Sequence, residues 1–463
     1  MNIYHILRLK NFIQRRDWAK SDVSEQPARR SVMKDVVIVS GARTAIGSFG
    51  GVLKTVSSVD LGALVIRAAM ERAGLRPEVS EDMMAFAPDK LRDRGMTELE
   101  KGYGNWNVDA TPIAVDEVIM GNVLQAGQGQ SPGRQAMIRA GVPKETYGFT
   151  VNKICGSGLK SIAIGASSIM SGQADVVIAG GQESMSNAPM AMTRARWGYR
   201  MEVSGKGDIY DLMVYDGLFE IFNGYHMGVT AENIAELYNI SRHDQDKLSC
   251  LSHARARAAI ENGIFKKEIV PVTTRSRKAE VIVDQDERPM ETSMEKMGKM
   301  KPVFKKDGSV TAGNASGIND GGAAVVMMSA DKAKELGLTP YVKIKGFATG
   351  GVDPAYMGLG PIPAVRRVLK STGMSINDMD IIELNEAFAA QALGCMMELD
   401  IDPEFANQLG SGISLGHPIG CTGARQMVTL IHEMKRKGYG TGLVSMCIGG
   451  GMGMAMVVEN MTK

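Results

Sequence analysis

Val151-Asn152-Lys153-Ile154-Cys155-Gly156-Ser157-Gly158-Leu159-Lys160 sets the reading of the fold. An apolar, strand-like approach delivers a cysteine to a glycine-flanked turn. A helical run over 157–171 follows at once, lined with small residues that permit close packing. Strand, turn and helix in quick succession is the repeating element of an α/β protein. Gly156 and Gly158 leave room for a sharp turn and for close approach of a ligand. A thiol placed there faces a helix N-terminus, whose free N–H groups and dipole favour the thiolate that a nucleophilic cysteine needs. Read alone, the same stretch also describes a small buried cysteine on a tight turn, so the rest of the chain decides.

Working outward, the unit recurs. Asp116-Glu117-Val118-Ile119-Met120-Gly121-Asn122 is echoed by Asp380-Ile381-Ile382-Glu383-Leu384-Asn385-Glu386. The Cys155 turn, its helix and the strand 174–179 ending at Gly180-Gly181 are echoed by Cys421-Thr422-Gly423, a helix at 424–437 and a strand at 442–447 ending at Gly449-Gly450. An internally duplicated α/β unit is the economical reading. It predicts central parallel strands, and two similar sheets packed together through helices in layers. A first buried strand lies at 34–40, and a helix with Leu61, Leu64, Val65 and Ala68 on one face follows at 59–74.

Residues 184–318 break the rhythm, being richer in charge and methionine. They read as a loop domain inserted into the framework, and the Asp320-Gly321-Gly322 turn leads into a strand at 323–329. The expected organisation is an N-terminal extension at 1–33, a first core half at 34–183, the loop domain at 184–318, a return to the first half at 319–335, and a second core half at 336–463. Within the first half, about 82–112 has no period and reads as an insertion. The extension is basic, yet it holds Asp17, Asp22 and Glu25, and transit peptides are poor in acidic residues. The reading is a disordered tail, with a cytoplasmic protein, and a mitochondrial transit peptide is the alternative.

Composition narrows the function. The formal net charge is +2 across 463 residues, and no basic patch is interleaved with aromatics, which argues against nucleic-acid binding. No apolar run reaches the ~20 residues a membrane helix needs. The five cysteines, at 155, 250, 395, 421 and 447, form no Cys-x-x-Cys pair, so a reducing compartment without disulfide framework or zinc site is expected. The 54 glycines are read as tight turns around strands. His243, His253 and His432 fall on helices and read as surface residues; His226 has no partner at metal-ligand spacing.

Three further turns place polar residues where strands end: Asn385-Glu386-Ala387-Phe388, Gly416-His417-Pro418-Ile419-Gly420 and Cys447-Ile448-Gly449-Gly450-Gly451. In a duplicated α/β core equivalent strand ends cluster, and ligands bind at such ends. Cys155, Asn385, His417 and Cys447 are thus expected around one pocket. Singly, Asn385 reads as a helix cap, His417 as a turn histidine and Cys447 as a core residue.

Taken with Asn152 to Gly158 and with Gly180-Gly181-Gln182-Glu183-Ser184-Met185-Ser186, these blocks resemble the thiolase family, most closely its acetyl-CoA acetyltransferases. Gly224-Tyr225-His226-Met227-Gly228 and Thr311-Ala312-Gly313-Asn314-Ala315-Ser316 point to the same subgroup. The resemblance covers about 34–82 and 113–460. It implies an αβαβα core with a loop domain that binds CoA, and homodimers or homotetramers. It implies condensation of two acetyl-CoA to acetoacetyl-CoA and CoA, with CoA and acyl-CoA as substrates and no metal or other cofactor. Cys155 is then the nucleophile, His417 its base and Cys447 the base for the second substrate. The N–H groups of Cys155 and Gly449, and His417 with a water held by Asn385, are the two oxyanion sites. His226, Met227, Ser316, Ala387 and Phe388 would line the CoA arm. One departure is Met290, where related thiolases often carry an arginine near the CoA nucleotide. The alternatives are a 3-ketoacyl-CoA thiolase for longer chains and a non-catalytic acyl-CoA-binding protein. A condensing enzyme using acyl carrier protein would carry a second histidine in place of Cys447.

Overall fold

Val36–Thr44 (β1) is buried at every position. Its alternate side chains enter two different cores, so both faces of the strand are covered. The computed structural model describes residues 33–199, 201, 207–276 and 279–462. The expectations for residues 1–32 lie outside them.

After β1 come Ser58–Arg72 (α1), Glu117–Gly121 (β2), Pro132–Arg139 (α2), Tyr147–Val151 (β3), Ser157–Met170 (α3) and Val176–Ser184 (β4). Met227–Leu237 (α4) and Arg242–Glu261 (α5) follow within the loop segment. The chain returns as Asn319–Ser329 (β5) and continues through Val342–Gly351 (β6), Pro361–Thr372 (α6), Ile381–Leu384 (β7), Ala389–Leu399 (α7), Thr422–Lys437 (α8), Thr441–Ile448 (β8) and Met452–Asn460 (β9).

The strands run in the order β7-β8-β9-β6-β1-β5-β4-β2-β3. In one half β1 pairs antiparallel with β5, β5 antiparallel with β4, and β4 parallel with β2. In the other, β6 pairs antiparallel with β9, β9 antiparallel with β8, and β8 parallel with β7. The pairing senses repeat over these four strands of each half, as a duplicated unit requires; β3, beside β2, has no counterpart beyond β7 among the described residues. The expectation of central parallel strands is corrected: along this nine-strand order the parallel neighbours are β2 with β3 and with β4, and β7 with β8, and the central pairs are antiparallel. β5 returns from the loop segment and β9 from a short glycine turn, and both arrive antiparallel. The halves meet at β1 and β6, paired only at Val37↔Lys343 and Ile38↔Val342.

Side-chain alternation then builds the layers. Val177, Ala323 and Val325 of one half-sheet and Val444, Met454 and Met456 of the other share one core with Leu159 and Ile162 of α3 and Met427 and Ile431 of α8. The opposite face of the first half packs on Val65 and Ile66 of α1 and Met137 of α2. That of the second packs on Val365 and Val368 of α6 and Ala392 and Met396 of α7. Helix, sheet, helix, sheet, helix is the result.

The predicted turn at Asp320-Gly321-Gly322 is strand, and so is the expected strand end at Gly180-Gly181. Gly180-Gly181 lies inside β4, and Gly321-Gly322 pairs with it inside β5. A Cβ at Gly180 would sit 2.2 Å from Ala323 O, and one at Gly181 2.2 Å from Gly420 O. These glycines serve close approach rather than chain reversal. The 82–112 segment has structure of its own: helices Glu81–Phe86 and Glu98–Tyr103, and strand Thr111–Ile113 paired with Leu75–Pro77. It is tied down by Arg67, which reaches the Tyr103 carbonyl and covers the Trp106 ring at 4.4 Å. No helix among the described residues is long and apolar enough to cross a membrane.

Candidate active site

β3 delivers Cys155 through a turn whose unusual residue is Ile154, with φ of 49°. A β-branched residue in the left-handed region is strained and persists only where surrounding bonds over-determine it. Here Asn152 Oδ1 accepts from Ile154 N at 3.0 Å, and the Ser157 hydroxyl donates to Ile154 O at 2.6 Å while accepting from Lys153 N at 2.8 Å. Gly156 has φ of −84°, so the expectation that it supplies the sharp turn is corrected. Its missing Cβ makes room for Ile448, 2.4 Å away, and that of Gly158 makes room for Ala424 N, 2.9 Å away. The close approach these two glycines permit is between the two core halves.

Cys155 lies one residue before the N-cap of α3. Burial nevertheless pushes its thiol up to about 11, against hydrogen bonds from the N–H groups of Gly449 and Cys155 itself; the Glu183 charge also pushes it up. Burial thus works against the helix terminus expected to favour the thiolate, and the thiol stays neutral until a base takes its proton. The two N–H groups on this sulfur belong to the residues expected to form the first oxyanion site. Cys447, at the end of β8, is fully buried, and its thiol is pushed well above the usual range, first by burial and then by neighbouring Cys155 and Cys395. Gly449 follows it, between Met227 Cε and Ile154 Cγ2, at 2.9 and 3.3 Å from where a Cβ would stand.

His417 is buried, and burial, followed by the Arg425 charge, lowers it to about 3. It is a neutral imidazole near pH 7. Its tautomer follows from its partners. Thr422 Oγ1 donates its one proton to Pro418 O at 2.9 Å, so it accepts from His417 Nδ1–H at 2.6 Å. Nε2 is left as the unprotonated nitrogen, accepting from Asn385 Nδ2 at 3.4 Å. Asn319 Oδ1 accepts from His417 N at 2.9 Å and fixes the backbone. Asn385 is no helix cap, since α7 starts at Ala389; its Oδ1 is buried without a protein partner among the described residues. Ile419, two residues past His417, packs in one cluster with Cys155. Thr422→Val is expected to lower kcat about tenfold, the worth of one net hydrogen bond, and Thr422→Ser to restore it, read from steady-state cleavage of acetoacetyl-CoA.

The residues expected along the CoA arm come together beside Cys447. Met227, Ala315, Ala387, Phe388 and Cys447 form one apolar cluster. Ser316 N donates to Ala387 O at 2.9 Å. His226 caps α4, its Nδ1 accepting from Gly228 N at 3.0 Å, and its ring stacks on Phe304 at 4.7 Å. Phe304 in turn meets Phe388 edge to face at 6.3 Å. Phe304 was not legible as a wall of this site. Arg288 turns inward to Ile413 O and Ala315 O, while Met290 is exposed. Among the described residues no group of three or more His, Cys, Asp or Glu is placed to hold a metal ion. Two expected surface histidines are not at the surface. His253 is buried, accepting from Met290 N at 3.3 Å, and His432 reaches Gly41 O at 3.2 Å.

Against known proteins, the family described as "Thiolase, N-terminal domain" matches residues 36–86 and 79–331, and "Thiolase, C-terminal domain" matches 338–460. An acetyl-CoA acetyltransferase of Syntrophomonas wolfei is 48% identical over 428 residues, covering 92% of this chain and 99% of that protein. One from Escherichia coli is 48% identical over 431 residues, covering 93% and 100%. The crystal structure of the Bacillus anthracis acetyl-CoA acetyltransferase superposes with a TM-score of 0.82 at 42% identity, covering 93% of this chain and 99% of that one.

Proposed function

The chain belongs to the thiolase family, and from that premise we propose that it condenses two acetyl-CoA reversibly to acetoacetyl-CoA and CoA, with the acetyl group carried on Cys155. The observations that carry the assignment of roles are a His417 Nε2 left unprotonated by the Nδ1–Thr422 bond, and a neutral Cys155 thiol whose sulfur faces the N–H groups of Cys155 and Gly449.

His417 Nε2 takes the Cys155 proton as the sulfur attacks the acetyl carbonyl. The carbonyl oxygen gains charge where those two N–H groups point. The C–S bond to CoA breaks, and the departing CoA sulfur takes the Cys447 proton. Cys447, buried and hard to ionise, is then a strong base, and it removes a proton from the methyl group of the second acetyl-CoA. The protonated Nε2 of His417, with a water held by Asn385, stabilises the resulting enolate; the unpartnered Asn385 Oδ1 is a ready acceptor for that water. The enolate carbon attacks the acetyl-enzyme, the bond to Cys155 breaks, and His417 returns the proton to its sulfur. Thiolysis is the reverse. CoA is a substrate throughout, held along its arm by His226, Met227 and Ser316 of the 184–318 segment, with Ala387 and Phe388 of the second core half nearby.

The relatives named acetyl-CoA acetyltransferase support short acyl chains. We place the enzyme in the cytoplasm, where five free thiols suit a reducing milieu, as a homodimer or homotetramer. CoA-dependent cleavage of 3-ketoacyl-CoAs of increasing length tests the substrate assignment. Acetoacetyl-CoA is expected to give the highest kcat/KM, and each added pair of methylenes to cost about tenfold or more in a closed pocket. Rates that rise with length would favour a long-chain thiolase, and no cleavage at any length would favour a non-catalytic acyl-CoA-binding protein.

A further inference from the structure

Glu183 stands at the end of β4, fully buried, touching none of the groups given a chemical step above. Its Oε1 accepts from Asn122 Nδ2 at 2.6 Å and from Leu124 N at 3.2 Å. Its Oε2 accepts from Val123 N at 2.9 Å and from Gly420 N at 2.9 Å. These donors come from two segments: the loop after β2 and the loop of His417.

Each segment leads to one reacting group. Gly420 ends the His417-Pro418-Ile419-Gly420 loop, and a Cβ on it would lie 2.5 Å from Glu183 Oε2, so only glycine lets the loop reach the carboxylate. Val123 O, on the other side, accepts from Asn152 Nδ2 at 3.4 Å. Asn152 Oδ1 is the atom that holds Ile154 N, and with it the left-handed turn before Cys155. One carboxylate thus ties the base loop directly, and the nucleophile turn through Val123 and Asn152.

From this connection we infer that Glu183 is a positioning residue for the condensation, setting Cys155 and His417 in one mutual register. The inference rests on the thiolase reading for what that register accomplishes. The anion is the form the site accepts, because every oxygen faces N–H donors. Burial pushes the carboxyl up to about 7, and the hydrogen bonds from Val123, Leu124, Gly420 and Asn122 oppose that rise. Glutamine keeps the length of the side chain but turns an NH2 toward N–H groups. Asn152 offers a second handle: it is exposed, so its truncation is expected to spare the fold while severing the arm to Cys155.

The experiment compares wild type, Glu183→Gln, Asn152→Ala and the double variant. It uses acetoacetyl-CoA cleavage, thermal melting, and amide hydrogen exchange in peptides covering 118–126, 150–158 and 414–422. Glu183→Gln is expected to lower kcat about 100-fold with KM changed less than about threefold, as for interactions felt only in the transition state. Exchange should rise in all three peptides. Asn152→Ala should lower kcat about tenfold, the worth of one net hydrogen bond, and raise exchange only in 150–158. The double variant should be no slower than Glu183→Gln, since both act on one chain of contacts. A folded Glu183→Gln enzyme with wild-type kcat, or exchange confined to 118–126, would overturn the inference. If Glu183→Gln does not fold, Asn152→Ala at the wild-type rate overturns it instead. Wild type that cleaves no 3-ketoacyl-CoA would refute the thiolase reading alone, and the exchange pattern would still decide for or against Glu183.

Discussion

Cys155→Ala is expected to abolish acetyl transfer, with kcat down by about 10⁶-fold, the scale seen when a catalytic nucleophile is removed from an enzyme whose other groups act as a unit with it. The reason is structural as well as chemical. The N–H groups of Cys155 and Gly449 converge on that sulfur, and His417 Nε2 is left unprotonated by the Nδ1–Thr422 bond. Among the five cysteines, Cys395 gives its S–H to Gly358 O at 3.1 Å, and Cys421 lies buried in the central core. Neither can substitute. Melting temperature should hold, because Ala removes only a sulfur at a site already packed against Val123, Met185 and Ile419. Steady-state condensation and thiolysis measured alongside thermal melting check both statements.

Cys447→Ala separates the two halves of the reaction. The first acetyl transfer needs Cys447 only to protonate departing CoA, which water or solvent-borne acid can partly replace. The second needs it to remove a proton from carbon, for which no other group at the pocket is a strong base. Overall condensation should fall by about 10³- to 10⁴-fold, the upper range for general acid–base catalysis, while acetyl-enzyme accumulates. Rapid-mixing kinetics with intact-mass detection would read the burst. If acetylation and condensation slow by equal factors, Cys447 is not the carbon base.

Much of this site was open to inspection in the chain itself, because a duplicated α/β unit brings equivalent strand ends together and those ends carry the polar residues. Cys155, Asn385, His417 and Cys447 are each preceded by an apolar strand or a glycine loop. The layer order followed from the same repetition. Other features depend on contacts between segments far apart. Gly180 looks like a turn until β5 is seen to lay Ala323 O against it. The left-handed residue is Ile154, which nothing in its side chain announces; Asn152 and Ser157 enforce it. His253 sits on a helix as expected, yet the Met290 segment folds over it. Thr422 and Glu183 lay within the quoted blocks, and only their hydrogen bonds distinguish them from their neighbours. Phe304 had no signal, since it gains meaning only against His226 and Phe388.

The central claim is that one sulfur carries the acyl group and the other moves a proton. Brief exposure of the wild-type enzyme to isotope-labelled acetyl-CoA, acid quenching and peptide mass mapping tests it directly. The account predicts the labelled acetyl group on the peptide containing Cys155 and none on that containing Cys447. Label on Cys447, or equal label on both, would contradict it.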